Sequence, residues 1–137
     1  MEKSKKILDA SVMVKGFSEE INSEKAHRLI KKHLEGEILI IVPELIFLEI
    51  TNALKYKKKD EESIKKVSKD LFNFQFKVEK ITEPLLSKAI QISIKNNLTI
   101  YDSLYIAISQ FYGAPLITAD SALYKITNVI PLEKCED

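Results

Sequence analysis

Residues 37–42, "EILIIV", are apolar at five consecutive positions, Ile38 to Val42, where a half-wet strand would alternate. A strand with one solvated face alternates apolar and polar side chains. A strand buried on both faces does not, and such strands belong to parallel sheets covered by helices on each side. This run therefore requires helices, and the rest of the chain supplies them. "KKIL" (5–8) is a short strand ending at Asp9. Residues 24–34 repeat Ala26, Leu29, Ile30 and Leu34 at helical spacing. Pro43 suits the first turn of a helix that runs on through "ELIFLEITNALKY". A second helix, 60–74, aligns Ile64, Val67, Leu71 and Phe74 on one face. A strand at 76–81, a helix from Pro84 and a helix opened by Asp102 follow. Residues 115–118, "PLIT", form a buried strand. Asp120 opens a short helix over 121–126, and 128–132 is a last strand. Strands alternating with helices predict an α/β fold. The expected form is one domain over 1–137, a parallel sheet of four to five strands with helices on both faces.

Charge and cysteine content exclude several classes. The net charge is +1, so bulk charge selects no partner. The one cysteine, Cys135, excludes an internal disulfide and fits a reducing compartment. Asp9 and Lys15 interrupt the N-terminal apolar stretch, which is too polar for a signal peptide. No apolar run approaches ~20 residues, so no membrane span is expected. A cytoplasmic protein is the expectation.

In parallel α/β sheets, ligands bind beyond the carboxyl ends of the strands. Asp9 directly follows the first strand, and Asp120 follows "PLIT" by one residue. Asp102 stands at a helix start, and helices in this topology start on that same edge. Glu49 falls among Leu45, Ile46, Asn52 and Ala53 at i±3 and i±4, the core-facing stripe apart from Asn52. A carboxylate aimed at a core is disfavoured unless it is paired or binds a metal. The helix rises roughly 9 Å between Pro43 and Glu49, which keeps Glu49 near the edge. Singly, each acid has an ordinary explanation. Asp102 and Asp120 suit N-caps, and Asp9 suits a turn. Together they would repel one another unless a divalent cation neutralised them. An all-oxygen set favours Mg²⁺ or Mn²⁺. His27 and His33 fall away from this edge, which argues against a zinc hydrolase.

"ILDASV", "LEITNAL", "LTIYDSLYIAIS" and "LITADSALY", in this order, resemble the PIN-domain family, and within it the VapC-like toxins of prokaryotic toxin–antitoxin pairs. The resemblance spans essentially the whole chain. It implies a metal-dependent endoribonuclease, with Mg²⁺ or Mn²⁺ as cofactor and RNA phosphodiester bonds as substrate. By position, Asp9, Glu49, Asp102 and Asp120 match the family's acidic quartet, and Ser11 and Thr118 match hydroxyl residues that fix the carboxylates. It also implies an antitoxin covering the pocket, and a homodimer. The helix at 60–74, with Ile64, Val67, Leu71 and Phe74, suits either a symmetric contact or simple packing on the sheet.

RNA also needs positive charge nearby. Lys55, Lys57, Lys58 and Lys59 end the Glu49 helix, and Lys65, Lys66 and Lys69 lie in the next. They suit phosphate binding or, equally, a solvated helix end that complements the helix dipole. Tyr56 and Tyr101 suit base stacking, although packing is the expected role of Tyr101. A response-regulator receiver would carry paired acids after the first strand, and a haloacid-dehalogenase-like phosphatase would carry Asp where Ser11 stands. Within the family, a ribosomal-RNA-processing nuclease is the main alternative. An inactive interaction module is disfavoured by the intact quartet.

Overall fold

The computed structural model describes residues 2–135. Five strands form one sheet: β1 (Ser4–Leu8), β2 (Ile38–Pro43), β3 (Lys77–Glu79), β4 (Leu116–Thr118) and β5 (Val129–Pro131). Their spatial order is β3-β2-β1-β4-β5, and every pairing is parallel. Six α-helices connect them: α1 (Ala10–Met13), α2 (Ser23–Leu34), α3 (Leu45–Tyr56), α4 (Glu61–Asn73), α5 (Glu83–Asn96) and α6 (Ile100–Tyr112). The order runs outward from β1 to β3, then returns across the sheet to β4. Parallel neighbours require crossover connections, and right-handed crossovers running in opposite directions place helices on opposite faces. The reversal lies between β1 and β4, and it leaves a crevice at their carboxyl ends.

The apolar run at 37–42 is a central strand, as its composition required. Five of the six β2 residues are buried. The most buried helix is α6, in which all seven residues from Ser103 to Ser109 are buried. A helix apolar on every side is stable only inside a core. Among the described residues, no helix is long and apolar enough to cross a membrane.

Several boundaries differ from expectation, each for a local reason. Pro43 does not open a helix. It ends β2, in register with Glu79 of β3, and α3 begins two residues later. The next amide, Glu44 N, donates to the Glu79 carbonyl, so the ladder outlasts the proline. The Glu44 carboxylate accepts from Ile81 N at 3.1 Å and ties down the exit from β3. Asp102 does not start α6. Thr99 is the N-cap, and its hydroxyl accepts from Asp102 N at 3.0 Å. Asp9 is more than a turn residue, because it caps α1, a short helix the apolar pattern did not reveal. The helix expected over 121–126 contracts to a 3₁₀ turn, Ser121–Leu123.

The α4 face with Ile64, Val67, Leu71 and Phe74 packs on the core: Leu71 is fully buried and the other three are partly buried. Packing on the core is thus one of the two roles expected of this face. The exposed apolar row lies on α5 instead, at Leu86, Ile90 and Ile94, spaced one turn apart.

Candidate active site

The acids enter the crevice from four elements. Asp9 leaves β1 at the switch point and is 4% exposed. Its Oδ1 accepts from the Ser11 hydroxyl at 2.6 Å and from Val12 N at 3.2 Å. Its Oδ2 accepts from the Thr118 hydroxyl. Thr118 is the last residue of β4, and its oxygen also accepts from Asp120 N at 3.0 Å. Ser11 Oγ accepts from Ala119 N at 2.9 Å. The two hydroxyls thus fasten the end of β1 to the end of β4. Asp120 turns back to cap the 3₁₀ turn, accepting from Ala122 N at 3.0 Å.

Asp102 lies in the first turn of α6 and is half-buried. Thr99, not Asp102, does the capping, and a hydrogen bond from the Thr99 side chain also acts on the Asp102 carboxylate. Glu49 is also half-buried. The buried stripe of α3 is Ile46, Ile50 and Leu54, and Glu49 stands at its margin, not on it. Its partner is a tyrosine. Tyr105, 1% exposed, donates its hydroxyl proton to Glu49 Oε1 at 2.6 Å. Sequence periodicity gave no sign of this contact, because Tyr105 reads as one more core residue of an apolar helix.

The electrostatics make one cluster of the four. Burial raises the Asp9 pKa from 3.8 to about 6, against the lowering effect of its hydrogen bonds, and Asp102 adds to the rise. Glu49 is raised by burial and then by Asp102. Asp102 is raised by burial and then by Asp120. Asp102 is therefore the hub, coupled to each of the other three. Among the described residues, no lysine or arginine contributes to holding Asp9, Glu49 or Asp102 down. Burial also raises Tyr105 well above the usual phenol range, with Glu49, Asp9 and Asp102 adding to it.

Four mutually repelling carboxylates without a cation form an oxygen-only donor set suited to a hard divalent ion. The side chains as they stand ring the crevice without closing on one point. Among the described residues, no three His, Cys, Asp or Glu side chains are grouped closely enough to hold one ion. With Asp9 held by Ser11 and Thr118 and Glu49 by Tyr105, Asp102 and Asp120 would have to turn inward to complete a set. Neither histidine joins the site by hydrogen bonding. His33 Nδ1 accepts from Ile40 N at 3.1 Å, and its Nε2 meets the Phe74 carbonyl at 2.9 Å, a structural role.

A groove of about 690 Å³ runs along α3 past Leu48, Asn52, Lys55 and Tyr101, and of the four acids Glu49 alone lines it. It continues into a recess lined by Asn52, Lys55, Tyr56 and Lys58. Tyr56 is 82% exposed and Tyr101 60%, so Tyr101 is not a packing residue. The structure separates the four lysines expected to act together. Lys55 and Lys58 face the recess. Lys57 is ion-paired with Glu20 at 3.0 Å, which also takes Lys15 at 3.7 Å. Lys59 lines neither cavity.

A parallel sheet with carboxylates gathered at its switch point defines an α/β protein with an acid-lined crevice. The chain belongs to the PIN domain family, whose model matches residues 6–129. It is 28% identical over 125 residues to ribonuclease VapC3 of Pyrobaculum aerophilum, covering 87% of this chain and 92% of that protein. The crystal structure of PAE2754 from Pyrobaculum aerophilum superposes with a TM-score of 0.72 at 22% identity, over 95% of this chain and 85% of that one. A chain of a toxin–antitoxin complex from Klebsiella pneumoniae superposes with a TM-score of 0.71 at 15% identity, over 94% of this chain and 98% of that one. These two likenesses establish the fold.

Proposed function

We propose that residues 1–137 form a single nuclease domain that hydrolyses RNA phosphodiester bonds with Mg²⁺ or Mn²⁺, and that the protein is the toxin of a VapBC-type toxin–antitoxin pair. The observation that carries this reading is the placement of Asp9, Glu49, Asp102 and Asp120 around the crevice at the switch point of a PIN-family sheet, with Thr118 hydrogen-bonded to both Asp9 and the Asp120 amide. The similarity to a named ribonuclease over most of both chains supports it. A toxin–antitoxin complex among the proteins of like fold supports the antitoxin partner.

Asp9, Asp102 and Asp120 would hold the cation, with Glu49 as a further ligand or as the group that orients water. When bound, the cation polarises the phosphate and stabilises charge on the leaving oxygen. The chain's own residues do the rest. Ser11 and Thr118 lock the Asp9 carboxylate, so no rotamer freedom is lost there on loading. Hydrolysis adds a water oxygen to phosphorus and breaks the bond to the leaving ribose oxygen. Glu49, half-buried and with a raised pKa, is suited to take the water proton. The leaving oxygen takes a proton from solvent. Lys55 and Lys58 would bind RNA phosphates along the groove, with Tyr56 and Tyr101 available for base stacking. The proposed homodimer would use the exposed α5 row in place of α4, and sedimentation at micromolar concentration measures it.

Purified protein with Mn²⁺ should cut a structured RNA, and EDTA should stop it. Asp102→Asn should lower the rate by roughly 10²–10⁴, as expected for several kcal/mol of lost transition-state stabilisation. Cutting by Asp102→Asn at the wild-type rate would overturn the reading.

A further inference from the structure

Of the four carboxylates, Glu49 has the longest side chain, and, among the described residues, none of its own helix supports it. Asp9 is held by two hydroxyls and a backbone amide, and Asp120 by the amide of its own turn. Glu49 lies at the margin of the buried stripe of α3. Among the described residues, one hydrogen bond holds it, and that bond comes from a different helix. Three side-chain torsions would otherwise let this carboxylate swing out toward Leu48, which is 70% exposed on the same turn.

The donor is unusually well fixed. Tyr105 sits three residues after Asp102, in the stretch of α6 buried on every side. Its ring cannot move without disturbing the core, and a phenol has two torsions to constrain. The geometry points to Tyr105 as a positioning residue: its hydroxyl clamps Glu49 Oε1 and thereby presents Oε2 to a divalent cation or to the attacking water. That role rests on the nuclease reading above. Tyr105 touches neither RNA nor metal in this assignment. It acts through Glu49, and it ties the orientation of the α3 acid to the helix that carries Asp102. A purely structural tyrosine would need only a hydrogen bond somewhere. This one spends its hydroxyl on a carboxylate of the acidic cluster, inside the field of Asp9 and Asp102.

An internal control lies two turns along the same helix. Tyr112 donates its hydroxyl to Glu79, a carboxylate at the end of β3 and outside the cluster. Tyr105→Phe and Tyr112→Phe make the same chemical change on one helix, and only the first touches the site.

The test is a set of Mn²⁺ titrations by calorimetry on the full chain, with RNA cleavage kinetics beside them. Tyr105→Phe should weaken Mn²⁺ binding, or lower kcat, by about 10- to 100-fold, the usual cost of losing a group that orients a ligand. KM for RNA should stay within twofold. Tyr112→Phe should match wild type in both. In a Glu49→Gln background, Tyr105→Phe should add nothing, since its effect passes through that carboxylate. Glu49→Asp leaves α6 intact and shortens the reach to the hydroxyl, so it should lose affinity or kcat by a similar factor and keeps the idea testable if Tyr105→Phe folds poorly. Wild-type Mn²⁺ affinity and kcat in Tyr105→Phe or in Glu49→Asp would overturn the assignment. So would an equal loss from Tyr105→Phe in both backgrounds. A wild type that neither binds Mn²⁺ nor cuts RNA would instead overturn the nuclease reading, and the positioning role with it.

Discussion

Replacing Asp9 with asparagine should stabilise the metal-free fold while abolishing cleavage. The carboxyl titrates at about 6 in the fold against 3.8 for the ordinary group. A raised acid pKa means that the folded chain binds more protons than the unfolded chain between those two values. Stability therefore falls as pH rises through that window. The penalty is complete above the folded pKa and absent below the ordinary one. A separation of this size is worth about 3 kcal/mol. Asparagine carries no charge and escapes that cost. Its carbonyl oxygen can keep the bonds from Ser11 and Val12 N, so the α1 cap survives. Its amide faces the Thr118 hydroxyl, which must stop donating and accept instead, at a cost of about 1 kcal/mol. The net gain of about 2 kcal/mol corresponds to roughly 4–8 °C in Tm for a chain of this length. The assay is thermal melting in EDTA at pH 7.5 and at pH 4. The gain should be large at the first and small at the second. Mg²⁺ at a hundredfold excess over its Kd should then restore about 2.7 kcal/mol to wild type by mass action, and much less to the variant. An asparagine variant that melts below wild type in EDTA at pH 7.5, or a difference that ignores pH, would refute the charge-crowding account of the site.

The lysines should divide as their surroundings do. Lys55→Ala and Lys58→Ala should each raise KM for RNA and lower the salt slope of binding by about 1, whereas Lys57→Ala, already paired with Glu20, should leave both nearly unchanged in filter-binding titrations across salt. Ile50 is fully buried on α3 one residue past Glu49, so Ile50→Ala should cost about 2–5 kcal/mol in chemical denaturation.

The sequence by itself determined the layer architecture. An apolar run that does not alternate, at 37–42, can be stable only between two helical layers, and the alternation of strands and helices then forces parallel crossovers. It also put three of the acids at one edge, since Asp9 and Asp120 follow strands and Asp102 opens near a helix start. Those are consequences of local order along the chain. Tertiary structure decided what no periodicity encodes. The strand order β3-β2-β1-β4-β5 placed the reversal between β1 and β4, and only that reversal brings Ser11 and Thr118, 107 positions apart, onto the same carboxylate. Capping by Thr99 placed Asp102 inside the first turn of α6, a choice between two good cap residues that a hydropathy pattern does not register. The packing of Ile64, Val67, Leu71 and Phe74 on the core was open in the sequence because an apolar helix face looks the same whichever surface covers it. Tyr105 was hidden for the same reason. Its ring obeys the core pattern of α6, and its hydroxyl finds Glu49 only because α6 and α3 meet at the sheet edge, a contact across 56 positions.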